Sequence, residues 1–377
     1  TAYRRQRQMC IRDRITGGEN FGNRLQNYAL QEILKSYSET VHTIKNYTKA
    51  EAEYKKSTQF KKKIKWFIGT AAYYLPINKS LFNEWYRQKI FDKFNRSHIN
   101  ISPFVISKDN VPKNLAAYYD YFVSGSDQVW NPHYLFNSHV EFMDFAQKNQ
   151  RVSYAASFGV DEIPDDRKED YKRWLKEIPS ISVREGQGRE IIRMLADIEA
   201  EVVLDPTLLF TQKQWLKISK RPKWLKYDNY ILAYYLGENS ENVNQSVKEI
   251  SEKYNLPVIR MNQKGLKKEY STSPEEFLYL MAHCNLLCTD SFHGIIFGYQ
   301  MNKPVVIYDR ALMAGEVSMN SRMATIQELL GVEHRGIHNL DINNSKELFN
   351  CDYTNSNKRI EKERLKAHAF IKRALRV

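Results

Sequence analysis

The residues best placed to do chemistry lie in a few short segments. The richest is CTDSFHGIIFG, residues 288–298. An apolar run ends at Thr289, and Asp290, Ser291 and His293 then stand at the entry to a helix, with Gly294 permitting close backbone approach. A helix N-terminus favours anions, and a histidine there can neutralise a phosphate or move a proton. A solitary histidine is more often structural, so Asp290 and Ser291 beside it carry the reading. In FVSGSDQVWN (122–131), Gly125, Ser126 and Asp127 follow a strand end, where parallel sheets place their ligands. Asp127 suits a general base, and Ser126 suits a hydrogen bond to phosphate. The same residues also make a good turn, and Trp130 reads equally as a core plug.

Two further segments add groups. SISVRE (180–185) ends a strand at Arg184, whose planar fork suits phosphate or carboxylate. The plainer alternative is a surface pair with Glu185. If Arg184 clamps a ligand, its loss should weaken binding and leave stability nearly unchanged. GGENFGNRLQ (17–26) joins a turn to a helix, leaving backbone N–H groups at Gly22 and Asn23 for an anion or a sugar. Asn23 and Gln26, three apart, share a polar face of that helix. A simple cap explains the turn as well. Cys284, Cys288 and His293 come close to metal spacing, but their apolar setting favours buried thiols. Dinucleotide, Walker, nucleophile-elbow and zincin motifs are absent.

The elements that must position these groups alternate short apolar runs with amphipathic helices, which predicts parallel sheets covered by helices. Asn20 to Ser36 reads as a turn and helix. Strands are expected at 121–124, 152–157, 180–183 and 201–204, with LDPTLLF (204–210) and the basic stretch to Lys226 as a linker. A second series follows, with strands at 230–237, 257–262, 285–290 and 303–309 and helices at 241–254, 274–283 and 293–301. The tail from 358 to 376 reads as one basic helix. The predicted organisation is an α/β chain of two Rossmann-like domains facing across a cleft, 15–212 and 213–357, with a C-terminal helix, 358–377, crossing back. A helical insertion occupies about 50–100.

The chain has 377 residues, 42% hydrophobic and 27% charged, which excludes a disordered or fibrous protein. Four cysteines fit a reducing compartment better than a disulfide scaffold. The formal charge is +13, to which residues 1–14, TAYRRQRQMCIRDR, contribute +4. That segment shows neither strand nor helix period and reads as a non-native leader, so a gap is expected where a first strand would stand. The remaining charge is too modest to indicate a nucleic-acid partner. KKKIKWFIGTAAYYLPI (61–77) joins a lysine cluster to an uncharged run too short to span a bilayer. It reads as a core helix with a basic flank, and peripheral contact with anionic lipid stays open.

In this order NFGNRLQNYALQ, FVSGSDQVWN, SYAASFG, SVRE, LDPTLLF, TDSFHGIIFGYQMNKPVV and SRMATIQELLG resemble the polysaccharide pyruvyl transferase family over roughly residues 15–335. The resemblance implies a GT-B-like fold and transfer of pyruvate from phosphoenolpyruvate to a sugar as a ketal. Phosphoenolpyruvate serves as co-substrate, and no separate cofactor or metal is needed. It implies donor contacts from Arg184 and His293; with the segment readings above, Ser126, Ser291 and Gly294 join the donor side with His293 as general acid, and Asn23, Gln26 and Asp127 form the acceptor side with Asp127 as base. Ser291 stands where family members carry the arginine of an Arg-aromatic-His or Arg-Leu-His tripeptide whose histidine His293 matches, and Arg322 or a lysine is the candidate substitute. The expected partners are phosphoenolpyruvate and a saccharide, free or lipid-linked, at a cytoplasmic location that extends to the inner face of the membrane. Two rival readings are a GT-B glycosyltransferase using a nucleotide sugar and a non-catalytic carbohydrate-binding relative.

Overall fold

Seven parallel strands build the larger sheet of the computed structural model: β1 (Gln8–Arg12), β2 (Thr40–Asn46), β3 (Ile101–Ile106), β4 (Tyr121–Ser124), β5 (Arg151–Ala156), β6 (Ser180–Val183) and β7 (Glu201–Val202). Their spatial order is β3-β2-β1-β4-β5-β6-β7. Four more parallel strands, β8 (Ile231–Tyr234), β9 (Val258–Met261), β10 (Leu286–Thr289) and β11 (Val305–Ile307), lie in the order β11-β10-β8-β9. The structure describes residues 8–12, 20–46, 79–134, 137–237, 241–262, 267–310 and 320–377.

Each sheet belongs to its own compact unit. The first takes the described residues through Phe82, with Asp92–Leu209 and Glu363–Val377; the second takes Asn83–Phe91 and Phe210–Lys362. The helix Lys79–His98 and the C-terminal helix Thr354–Leu375 are therefore each shared between units. Among the described residues no helix is long and apolar enough to cross a membrane. The segment 61–77 lies outside them.

Residues 8–12 correct the reading of the leader. No gap is left, because Gln8–Arg12 fills the middle of the larger sheet and pairs with both β2 and β4. Met9, Cys10 and Ile11 are fully buried. Three consecutive apolar residues suffice for a strand covered on both faces, and the surrounding arginines hide them from a periodicity argument.

Each unit has its own core. In the first, Trp130 is fully buried, stacks on Phe142 at 5.0 Å and donates from its indole to the Glu141 carbonyl at 3.3 Å. It anchors the loop after β4. In the second, Ile231, Ala233, Leu286, Cys288 and Val306 from adjacent strands meet Val247 and Ile250 of the helix Glu241–Tyr254. Here the near-continuous apolar runs of a doubly covered parallel sheet appear directly as strands.

Candidate functional site

In the larger sheet the strand order reverses between β1 and β4. Ligands of open parallel sheets bind beyond the carboxyl ends at such a reversal. Asp127, just past the end of β4, is half-buried and has a φ of 75°. That left-handed conformation costs a residue with a Cβ about 1–3 kcal/mol, least for aspartate and asparagine. Its Oδ2 accepts from Asn23 Nδ2 at 3.1 Å. The Asn23 Oδ1 in turn accepts from the Arg24 guanidinium. Both ends of the Asn23 amide therefore serve to hold Asp127. The Asn23 backbone N–H, expected to face an anion or a sugar, donates to the Asn20 side chain at 3.2 Å as an N-cap contact. Gln26 is fully enclosed.

Beside this turn lies a buried charge network that corrects two sequence expectations. Arg184 does not open toward solvent, nor does it form a surface pair: only 2% of its side chain is exposed. Its Nη1 donates to Asp205 Oδ2 at 3.0 Å, and its Nε lies 3.6 Å from Glu185 Oε2. Burial alone works to lower the Arg184 pKa. The Asp205, Glu185 and Asp127 carboxylates outweigh it and hold the pKa above its ordinary value. LDPTLLF, read as the start of a linker, carries the boundary between the two units at Leu209/Phe210 and also supplies Asp205, followed by the buried helix Pro206–Leu209. Asp205 Oδ2 also accepts from Ser126 Oγ at 2.9 Å, so the hydroxyl expected on a phosphate is committed within the protein. Thr207 completes the shell, donating to Asp205 Oδ1 from its N–H at 2.9 Å and from Oγ1 at 2.6 Å.

The smaller sheet reverses between β8 and β10. Asp290 spans that reversal, its Oδ1 and Oδ2 accepting from the backbone N–H groups of Leu236 at 2.7 Å and Gly237 at 2.9 Å. Arg310, beyond the end of β11, places Nε 3.6 Å from Asp290 Oδ2 and donates from Nη2 to the Asp290 carbonyl at 3.4 Å. Ser291 is the N-cap of the helix Phe292–Gln300, its Oγ accepting the Gly294 N–H at 3.3 Å. Gly294 has a packing reason to be glycine, since a Cβ there would collide with the Thr289 side chain. Close approach is thus to β10, where ligand approach was expected. His293 is the second residue of this helix, nearly buried, with its ring edge-on to Phe292 at 5.2 Å. The Arg322 guanidinium lies 6.0 Å from the centre of the Phe292 ring.

Tyr234, at the end of β8, is a further buried hydroxyl at this reversal. Burial pushes its pKa up; a hydrogen bond with Ser291 and the charges of Arg87 and Arg310 oppose the rise, and Asp290 adds to it. Sequence reasoning missed Tyr234 and Arg310. Arg310 closes the strand run PVVIYDR and could have been found by the strand-end argument applied to Arg184. Cys284 and Cys288 are buried, and burial pushes both thiols up to about 12, so they stand as protonated core residues.

A family model described as polysaccharide pyruvyl transferase matches residues 20–311. No curated protein matches the sequence. Among solved structures, the Neisseria meningitidis UDP-GlcNAc 2-epimerase bound to UDP-GlcNAc aligns with a TM-score of 0.48 at 9% identity, over 96% of this chain and 100% of its own. The Methanocaldococcus jannaschii UDP-GlcNAc 2-epimerase in complex with UDP-GlcNAc and UDP aligns at 0.42 and 12%, over 94% and 98%. Anabaena HepE in complex with UDP and glucose aligns at 0.43 and 9%, over 97% and 99%.

Proposed function

The chain belongs to the polysaccharide pyruvyl transferase family, and on that premise we propose that it takes pyruvate from phosphoenolpyruvate and closes it as a ketal over two hydroxyls of a sugar. The observation that carries this reading is the cationic turn at the β8/β10 reversal. His293, Arg310 and Arg322 adjoin the helix N-terminus there, with Asp290 already engaged by two backbone N–H groups. A donor with a phosphate and a carboxylate needs several such groups. Each hydrogen bond involving a charged partner is worth about 1.5–3 kcal/mol. Arg310 and Arg322 supply the charge that Ser291 lacks.

The chemistry assigns the roles. His293, as imidazolium, gives its proton to the methylene carbon of the donor, and positive charge develops at the adjacent carbon. A sugar hydroxyl adds to that carbon, and Asp127 takes its proton. The carbon–oxygen bond to phosphate then breaks, its electron pair leaves with the phosphate, and Asp127 releases its proton to solvent. A second hydroxyl closes the ketal and returns a proton to His293. Asn23 holds the Asp127 carboxyl in place. Arg184 is a positioning residue, because its charge is matched by buried carboxylates.

The test is mass spectrometry of candidate glycans after incubation with phosphoenolpyruvate. The reading expects one pyruvyl ketal per modified sugar and release of inorganic phosphate. Phosphate release without an adduct, or turnover only with a nucleotide sugar, would remove it.

A further inference from the structure

A cavity of about 420 Å³ opens in the first unit, lined in part by Lys108, His133, Tyr134, Arg167 and Trp174. Its volume lies within the range of small-molecule pockets and is too large for a bare ion. Its walls come from the carboxyl side of the larger sheet. Lys108 follows β3, His133 and Tyr134 follow β4, and Arg167 lies near the start of the helix Asp165–Lys176, which follows β5. This is the same edge that carries Asp127.

The cavity is tied to Asp127 through rigid contacts. The Tyr134 hydroxyl donates to Gln128 Oε1 at 2.9 Å, and Asn131 Nδ2 donates to the same oxygen at 2.8 Å. Gln128 is the residue after Asp127. It packs against Gly159, where a φ of 65° and the absence of a Cβ make room for it. Arg167 fixes the rim, donating to the carbonyls of Pro132 and Asn137 at 3.4 Å and to Asn137 Oδ1 at 3.0 Å.

The lining combines two aromatic rings with cationic groups. Lys108 and His133 are exposed, and Arg167 is half-buried. Among the described lining residues the one carboxylate is Asp170, and Arg173 engages it at 2.7 Å. Aromatic walls with polar tips suit sugar rings, and the positive balance favours a sugar that carries a carboxylate or phosphate.

We propose that this cavity is an acceptor subsite that holds a further, negatively charged sugar of the saccharide chain whose hydroxyls are presented to Asp127. This rests on the saccharide-acceptor reading above and narrows it to anionic chains longer than one residue. The test is calorimetric binding of the full-length protein to galacturonate and to its oligomers of increasing length, with neutral malto-oligosaccharides alongside. The expected result is at least tenfold tighter binding of a short galacturonate oligomer than of the monomer. Lys108→Glu should remove that gain, Tyr134→Ala should reduce it, and added salt should weaken it. Binding that does not change with length, a gain that survives Lys108→Glu, or no binding of the anionic series at millimolar concentration would overturn the proposal. The assay contains no phosphoenolpyruvate, so its failure leaves donor chemistry standing, and failure of pyruvyl transfer leaves the binding result intact.

Discussion

The two strand-order reversals share a topology and differ in charge. At β1/β4 the buried Arg184 is surrounded by Asp205, Glu185 and Asp127, the buried Arg24 is engaged by Asn23, and the hydroxyls of Ser126 and Thr207 are turned inward to the Asp205 carboxylate. At β8/β10 the balance is reversed. Asp290 faces Arg310, with His293 and Arg322 around the adjoining Phe292. Topology says where a parallel sheet can bind a ligand; the charge left over after internal pairing says which ligand. In the function proposed above, the first reversal holds the carboxylate base and the second receives the anionic donor.

The sharpest way to break this contrast is to remove an arginine from each side. Arg184→Ala should destabilise the first unit by about 3–5 kcal/mol, because it strands two enclosed carboxylates. Chemical denaturation would measure it. Arg310→Ala should cost less than that, because the Arg310 side chain is 17% exposed and its partner Asp290 keeps two backbone N–H donors when the arginine is gone. Equal losses would show that the two arginines are not differently embedded.

His293→Ala should lower kcat by about 10²–10⁴ with the fold retained. His293→Asn should not restore it, since an amide cannot give up a proton. Steady-state kinetics with phosphoenolpyruvate and a competent acceptor checks both variants. Arg310→Ala should raise the donor KM by roughly tenfold, the value of one charge-assisted hydrogen bond, and Arg310→Lys should recover part of it. The smallest effect on stability belongs to Asp127→Asn. It keeps the left-handed backbone that asparagine tolerates and an oxygen for Asn23, so stability should stay within about 0.5 kcal/mol while turnover falls.

How much was legible in the sequence also differs between the two reversals. The runs around β8, β10 and β11 are almost wholly apolar and fully buried, as strands covered on both faces must be, and β9, half-buried with Arg260 in it, still stands out from the polar turns beside it. In the first unit β2 reads TVHTIKN and is only partly buried, and β3 carries a proline, so neither shows as an apolar run. The positions of Asp127 and His293, in the turns shortly after β4 and β10, were legible because an apolar run ends just before each. Asp205 was not: its role depends on Arg184 and Ser126, which are distant in sequence and meet it only after the chain folds. The same long-range pairing turned Arg184 from an apparent ligand clamp into a buried partner, a distinction that no local pattern carries.

The measurement that tests the division between the two reversals most directly is calorimetric binding of phosphoenolpyruvate to the wild-type protein, His293→Asn, Arg310→Ala and Arg184→Lys, each confirmed folded. If the β8/β10 reversal receives the donor, the His293 and Arg310 variants should each lose tenfold or more in affinity, and Arg184→Lys, which keeps the buried charge, should bind as the wild type does. Loss of binding in Arg184→Lys with affinity retained in both other variants would contradict it and return the donor to the first unit.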